Sequence, residues 1–579
     1  MVLVGKSVSR GVAIGEVMRY APFCPKLSTE KIPGGLTEEA VAAYETARQS
    51  AKNELSGLEE RLLPHAPAQA KIMAAHRDIL LDPAMDEEIR TLIEREHLSP
   101  DAAAAQVYDC YAELLAASKN ELMKERSADL LDVKLRLLRC LAGAPEYNLS
   151  ALQRPVIIVA DDLFPSDTAG IDRDNVLVII TQTGGSTSHT AIIAKSYEIP
   201  AVLGVPDALR LLSDGETIIL DAEEGRILSS PSDGELLEYE QKAELVSASL
   251  REERMYLNSV PVTQDGERIE IRLNVAAATD QELSKAAYAD GCGLFRTEFL
   301  YLDREHLPTE DEQYVVYSKV LKAFGEKPVI LRTMDIGGDK QVPGLELPRE
   351  QNPFLGIRGL RLSIELEQLF RTQVRAVLRA SVHGNLKVMF PMVGALDELR
   401  RAREIFLEEE AALDTQGIPW DRHLKIGIMV EVPSIALIAD LAAEEADFVS
   451  IGTNDLTQYL CAADRMNPAV GSYYQEYHPA VFRVLSCLAS TFNRAGKDIS
   501  ICGELGGDAL ALPALIGMGI RQFSMGAASL GGAKRVVRHL KMADAAQLAE
   551  NVLHQKTHGD ICRLLREFGG RQLQQEKEC

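Results

Sequence analysis

No run of 18 apolar residues occurs in this 579-residue chain, which excludes a hydrophobic helix long enough to cross a bilayer. Its opening residues, MVLVGKSVSRGVAIGEV, lack the basic-then-apolar layout of a secretory signal. Nine cysteines are present, yet none forms a CxxC pair and none falls at metal-ligand spacing. Scattered thiols in an acidic chain without a signal point to a reducing cytoplasm, with eight of the nine expected to be small buried hydrophobes. Positive charge is scarce as well: 62 Lys and Arg stand against 86 Asp and Glu, a formal net charge of −24. Such a chain repels nucleic acid and anionic membranes and attracts a basic protein partner at low salt. An anionic substrate would then need local islands of positive charge.

At this length two or three domains are expected, and 46% hydrophobic with 26% charged residues is the balance of an ordinary soluble globular protein. Residues 1–20 alternate apolar and polar positions around Gly5, Gly11 and Gly15 and read as one or two short strands. From Thr37 the texture turns helical. Thr37 is the expected N-cap, followed by Glu38 and Glu39. Val41, Tyr44, Ala51, Leu55, Leu58 and Leu62 then recur at helical steps, broken only by Arg48. Ala-, Leu- and Glu-rich sequence continues to Ala142, with Pro64, Pro67, Pro83 and Pro100 between helices, which predicts an antiparallel bundle. A bundle inserted between strands is either purely structural or a docking platform.

At Arg154 the texture changes again. PVIIVADDL, NVLVIITQ, AVLG and ETIILDAEEG are strands separated by turns and one short helix, an α/β unit ending near Asp233-Gly234. The expected divisions are 1–30 with 145–234 for this α/β domain and 31–144 for the inserted helical domain. A connecting helix at 235–260 and a barrel domain at 261–579 complete them. In the last of these, strand and helix alternate: IEIRLNV (269–275), GLFRT (293–297), PVILRT (328–333), LKVMFP (386–391), KIGIMVE (425–431), DFVSIGT (447–453), DISICGE (498–504) and RQFSM (521–525). Eight such units are the count of a TIM-type (β/α)8 barrel. A doubly wound open sheet is the rival, but eight regular units favour closure.

Two sets of residues carry chemistry. The first lies in VLVIITQTGGSTSHTAIIAKSYEIP, which runs strand, Gly184-Gly185 turn, Ser/Thr stretch, then helix. His189 therefore sits in a first helical turn, where free amides and the helix dipole favour a negative group. Neutral imidazole is nucleophilic at physiological pH, so a phosphoryl group could be carried there; a histidine satisfied by local hydrogen bonds is the plain alternative. The second set stands at the carboxyl ends of the barrel strands, where barrel active sites are built. It comprises Arg296, Arg332, Glu431, Asn454, Asp455 and Cys502, with Lys340, Arg358 and Arg465 in the loops that follow. A single arginine beside a strand end is ordinarily solvated or ion-paired. The whole set in one domain sorts into arginines that clamp phosphate and carboxylate and two acids that hold one magnesium ion.

The wording of both sets resembles one family. GG-x-TSH-x-A-I-x-A is similar to the phosphohistidine motif shared by Enzyme I of the phosphoenolpyruvate-dependent sugar phosphotransferase system and by the dikinase and phosphoenolpyruvate synthase group. RTEFL, LPTEDEQ, RTMDIGGDK, NPFLGIRGLR, MFPMV, SIGTNDLTQY and CGELGGD look like the phosphoenolpyruvate-binding barrel of Enzyme I. The resemblance spans essentially the whole chain. It implies a multidomain α/β protein, with a swivelling phosphohistidine domain, an inserted carrier-binding helical bundle and a C-terminal barrel. It also implies that His189 carries the phosphoryl group and Thr168 orients it. Arg296, Arg332, Asn454, Asp455 and Arg465 would bind phosphoenolpyruvate, with Lys340 and Arg358 in support. Glu431 and Asp455 would bind magnesium, and Cys502 would protonate the enolate. The family's usual arginines on either side of the histidine are here Ser186 and Lys195, which implies an altered rate or phosphohistidine lifetime.

The resemblance further implies two transfers, from phosphoenolpyruvate to His189 and on to a histidine-containing phosphocarrier protein. Since one nucleophile visits two sites, large rigid-body motion is expected. His76, Asp82, Glu87, Glu88 and Arg126 are the docking candidates for that carrier, and a cytoplasmic homodimer through the barrel is expected by resemblance. A dikinase or synthase is the nearer alternative, but no segment could supply the ATP-binding domain those enzymes add. A regulatory paralogue serving another carrier is the other. His189→Ala is expected to abolish labelling of the protein by radiolabelled phosphoenolpyruvate, and label retained by that variant would contradict the assignment.

Overall fold

The alternation in the first twenty residues builds three strands, not one or two: β1 (Val2–Val4), β2 (Lys6–Ser9) and β3 (Val12–Tyr20). Gly11 forces the extra break between β2 and β3, because its φ of +143° is closed to most side chains and a Cβ there would lie 2.4 Å from Pro200. The computed structural model describes residues 1–579 apart from 21–26, 29–30, 64–66, 117–120, 145–148, 150–151, 153, 164–170, 172–174, 185–189, 192, 195–198, 303–305, 338–341, 343, 346, 348–349 and 579. It divides into two compact units, Met1–Ser249 and Leu250–Cys579.

In the first unit the N-terminal strands join those after the helical segment. With β4 (Val156–Ala160), β5 (Val176–Thr181), β6 (Ala201–Leu203), β7 (Thr217–Asp221) and β8 (Arg226–Ser229), they form one sheet in the order β1-β8-β7-β3-β4-β5-β6-β2. The central strands β3 to β6 run parallel, and the flanking pairs are antiparallel. All five residues of β4, VIIVA, are buried, as a strand covered on both faces requires.

The inserted helices are Thr37–Leu62, Pro67–Leu80, Pro83–Glu96, Pro100–Ala116 and Glu121–Leu141. Three open on proline, whose missing N–H costs nothing at a helix start. Thr37 is not the cap: a 3-10 turn at Gly34–Leu36 places Leu36 there, and the Thr37 hydroxyl donates to the Gly34 carbonyl at 3.0 Å. The apolar stripe is buried as its spacing predicts, with Tyr44, Ala51 and Leu55 packed beside Ile89, Ile93, Tyr108 and Leu137. Arg48, the break in that stripe, donates to the Leu80 carbonyl at 3.0 Å and pairs with Asp86 at 3.2 Å.

The connecting helix covers Asp233–Met255 and buries none of its residues. In the first unit Lys242 pairs with the fully buried Asp221; in the second Glu252 pairs with Arg535 at 2.9 Å.

The second unit is a closed barrel. β9 (Glu270–Val275), β10 (Cys292–Arg296), β11 (Val329–Arg332), β12 (Leu386–Phe390), β13 (Lys425–Val430), β14 (Phe448–Ile451), β15 (Asp498–Ile501) and β16 (Gln522–Met525) pair in parallel, and β16 returns to β9. The open-sheet rival is thereby excluded. Leu294, Ile330, Met389, Met429, Phe448 and Cys502 form a small core cluster of their own, while the large core includes residues of both strands and helices, with Phe370, Phe390 and Phe406 in mutual edge contact at centroid distances of 5.7–6.2 Å. No helix among the described residues is long and apolar enough to cross a membrane. Of the seven described cysteines only Cys292 and Cys502 are buried; Cys110 and Cys487 are exposed, so the expectation of eight buried thiols is wrong. Phe406→Ala removes the ring shared by two aromatic pairs. It is expected to cost the barrel about 3–5 kcal/mol, measured by denaturant unfolding of the full chain; a loss below about 1 kcal/mol would contradict this packing.

Candidate active site

Parallel closure sends every strand's carboxyl end to one mouth. Arg296 and Arg332 are the last residues of β10 and β11, Glu431 follows β13 directly, and Cys502 follows β15. Asn454 and Asp455 lie in the first turn of the helix Thr453–Cys461, which begins two residues after β14. Arg358 precedes the helix Leu360–Glu365, and Arg465 follows the helix after β14. All of these line a single cleft of about 130 Å³. Gly452 lets the walls approach: a Cβ there would lie 2.6 Å from Glu431 Oε2.

The cleft also holds Glu298, Asp335 and Phe354, to which the sequence reading gave no role. Glu298 and Asp335 sit inside the quoted RTEFL and RTMDIGGDK strings, next to the arginines that drew attention. The missed signal was that a buried guanidinium needs a counter-charge nearby. Arg332 Nη2 donates to Glu298 Oε1 at 2.5 Å, and its Nη1 lies 2.9 Å from Asp335 Oδ2. Arg358 Nη2 reaches both Asp335 oxygens at 3.2 Å and Asp455 Oδ2 at 3.4 Å. Arg465 Nη2 approaches Asp455 Oδ1 at 3.6 Å. Arginine and carboxylate thus alternate across the mouth. The cation also stacks: the Arg358 guanidinium lies 5.7 Å over the Phe354 ring.

Burial governs the electrostatics. It would lower the Arg332 pKa, but Glu298, Asp335 and Glu431 outweigh it and hold the guanidinium firmly charged. Burial raises the Glu431 carboxyl, and Asp455 and Asp335 raise it further, to about 8, against the pull of Arg332 and Arg358. Burial also pushes the Cys502 thiol up to about 11, with Ser450, Arg332 and Arg296 pulling the other way. Its Sγ points at the Ile451 carbonyl, 3.5 Å away.

The acids fit a divalent cation. Glu431 and Asp455 are both buried, and Asp455 Oδ1 has no hydrogen-bond partner. No group of three or more His, Cys, Asp or Glu among the described residues could enclose a metal. A pair of carboxylates suits a cation that keeps water or substrate oxygens in its shell.

His189, Thr168, Ser186, Lys195 and Lys340 fall outside the described residues. Thr190, next in sequence to the histidine, is helical and donates to Asp162 Oδ1 at 2.9 Å. His76 is buried in the bundle, 3.1 Å from Asp129 and 3.7 Å from Asp132, which corrects its placement on a docking face: the helical stripe carries it inward. Asp82 caps the helix Pro83–Glu96 by accepting from Ala84 and Met85. Arg126, Glu87 and Glu88 are exposed.

A barrel mouth that alternates arginines with buried acids suits a small anion, and the class it belongs to is that of the phosphoenolpyruvate-utilising enzymes. Three models of that class match: its phosphoenolpyruvate-binding domain over residues 251–542, its mobile domain over 152–225 and its N-terminal domain over 4–126. Phosphoenolpyruvate-protein phosphotransferases of Bacillus sp. (strain S) and Geobacillus stearothermophilus are each 42% identical over 558 residues, covering 96% of this chain and 96% of theirs. A solution NMR structure of an Enzyme I protein is 34% identical, with a TM-score of 0.39, covering 42% of this chain and 99% of that one. The chain belongs to the phosphoenolpyruvate-protein phosphotransferase family, a family of transferases.

A thiol with a pKa near 11 has about one part in a thousand as thiolate at pH 8. Iodoacetamide at pH 8 is therefore expected to alkylate the exposed Cys110 and Cys487 while sparing Cys502, read by peptide mass mapping; early modification of Cys502 would contradict its placement.

Proposed function

We propose that this protein transfers the phosphoryl group of phosphoenolpyruvate to its own His189 and from there to a histidine-containing phosphocarrier protein. This is the first step of phosphotransferase-system sugar uptake. The reading is carried by one observation: four arginines and four buried acids converge on one cleft at the barrel mouth. The four guanidiniums are matched by four carboxylates, which hold the arginines in place for an anionic substrate, and a divalent cation would add the positive charge the cleft lacks.

Arg296, Arg332 and Arg465 clamp the phosphate and carboxylate, with Arg358 and Lys340 in support and Asn454 as a neutral partner. Asn454 is held in place because its Oδ1 accepts from the Glu504 amide at 2.9 Å. Phosphoenolpyruvate-utilising enzymes use a divalent metal; here Mg2+, held by Glu431 and Asp455, would supply charge neutralisation as the phosphoryl group leaves. His189 attacks phosphorus in line, with Thr168 orienting the ring, and the P–O bond to the enolate breaks. Cys502 keeps its proton at neutral pH and delivers it to the methylene carbon, giving pyruvate. The phosphorylated imidazole then passes its group to the carrier's histidine, with Asp82 and Arg126 as docking residues on the helical insertion. Family membership supports placement in the cytoplasm and assembly as a homodimer through the barrel. The helical segment 37–141, where a dikinase would need an ATP-binding domain, favours this reading over that rival.

Radiolabelled phosphoenolpyruvate with Mg2+ is expected to place one acid-labile phosphoryl group on each chain and to chase quantitatively onto a purified histidine phosphocarrier. Label that will not leave for any member of a carrier panel, or formation of phosphoenolpyruvate from ATP and pyruvate, would overturn the proposal.

A further inference from the structure

Asp335 stands where two arginine forks meet. It is 4% exposed and lines the cleft. One oxygen lies 2.9 Å from Arg332 Nη1, and both accept from Arg358 Nη2 at 3.2 Å. Glu298 holds the far nitrogen of Arg332 at 2.5 Å. Both terminal nitrogens of Arg332 are therefore engaged by the protein's own carboxylates. Arg332 Nε and Arg358 Nη1 are left buried without a hydrogen-bond partner. A carboxylate between two guanidiniums is the arrangement that a bound phosphate or carboxylate would itself adopt.

We infer that Asp335 is a specificity-determining residue: a tethered anion that occupies the arginine forks and yields them only to a ligand carrying enough charge on one frame. This rests on the reading that the mouth binds phosphoenolpyruvate. A tethered carboxylate competes at high effective concentration, so inorganic phosphate or a lone carboxylate gains too little to displace it. A ligand with both groups engages several arginines together and repels Asp335 from Arg332 Nη1. Glu298 keeps Arg332 in register while that exchange happens. Without Asp335 the free arginines would accept any small anion, and the mouth would discriminate less.

The test compares the full chain with Asp335→Asn, Glu298→Gln and Arg332→Met, using equilibrium binding of phosphoenolpyruvate and of inorganic phosphate with Mg2+ present. Asp335→Asn is expected to tighten inorganic phosphate by about tenfold and phosphoenolpyruvate by less, so the ratio of the two affinities falls. Glu298→Gln is expected to weaken both ligands with the ratio unchanged. An unchanged ratio in Asp335→Asn, or weakening of both ligands as for a purely structural counter-ion, overturns the inference. Phosphoenolpyruvate bound equally well by Arg332→Met, in which Asp335 is intact, would instead overturn the reading of the mouth on which it rests. Should Asp335→Asn fail to fold, Asp335→Ser removes the same charge and gives the same comparison.

Discussion

Everything at the mouth depends on charge compensation inside a space too dry to leave any charge alone. Arg332 and Arg358 are both buried, and the Born cost of an unpaired guanidinium there is several kcal/mol. The sequence answers with Glu298 and Asp335 from the same two strand-end strings that supply Arg296 and Arg332. The outcome is an alternating lattice of ion pairs that fixes each donor before any ligand arrives. Once Asp335 has yielded the forks, donors held in this way act on developing charge with little further reorganisation.

The same constraint explains the division of labour between the carboxylates. Glu298 and Asp335 are neutralised by arginine. Glu431 is compensated less completely: burial, Asp455 and Asp335 together raise its carboxyl. A cation would relieve the burial and neighbouring negative charge that raise Glu431, and charged arginines attract an anion. Having both within one cleft makes each ligand a partner for the other. Cys502 lies among the same groups but next to apolar Leu294 and Met429, and this keeps its proton in place.

Much of this was legible in the chain. All eight barrel strands were readable because buried parallel strands are short apolar runs set between helices, and the described residues picked out at the strand ends share one cleft. What escaped followed from three-dimensional effects that linear spacing does not carry. Glu298 and Asp335 looked like neighbours of the interesting residues, and only burial shows that their charges are obligatory. His76 was a docking candidate, but the helical stripe turns it into the bundle against Asp129 and Asp132. Thr37 has the chemistry of a cap, yet a 3-10 turn before it begins the helix earlier. The count of buried cysteines failed because exposed helix positions such as Cys110 and Cys487 carry no pattern that marks them as exposed.

The central claim is that cation and anion compensate one another in the barrel mouth. Calorimetric titration of the intact protein with phosphoenolpyruvate, with and without a divalent cation, tests it most directly. The account predicts saturable binding when the cation is present and affinity lower by at least tenfold after chelation. Equal affinity in both conditions would contradict it.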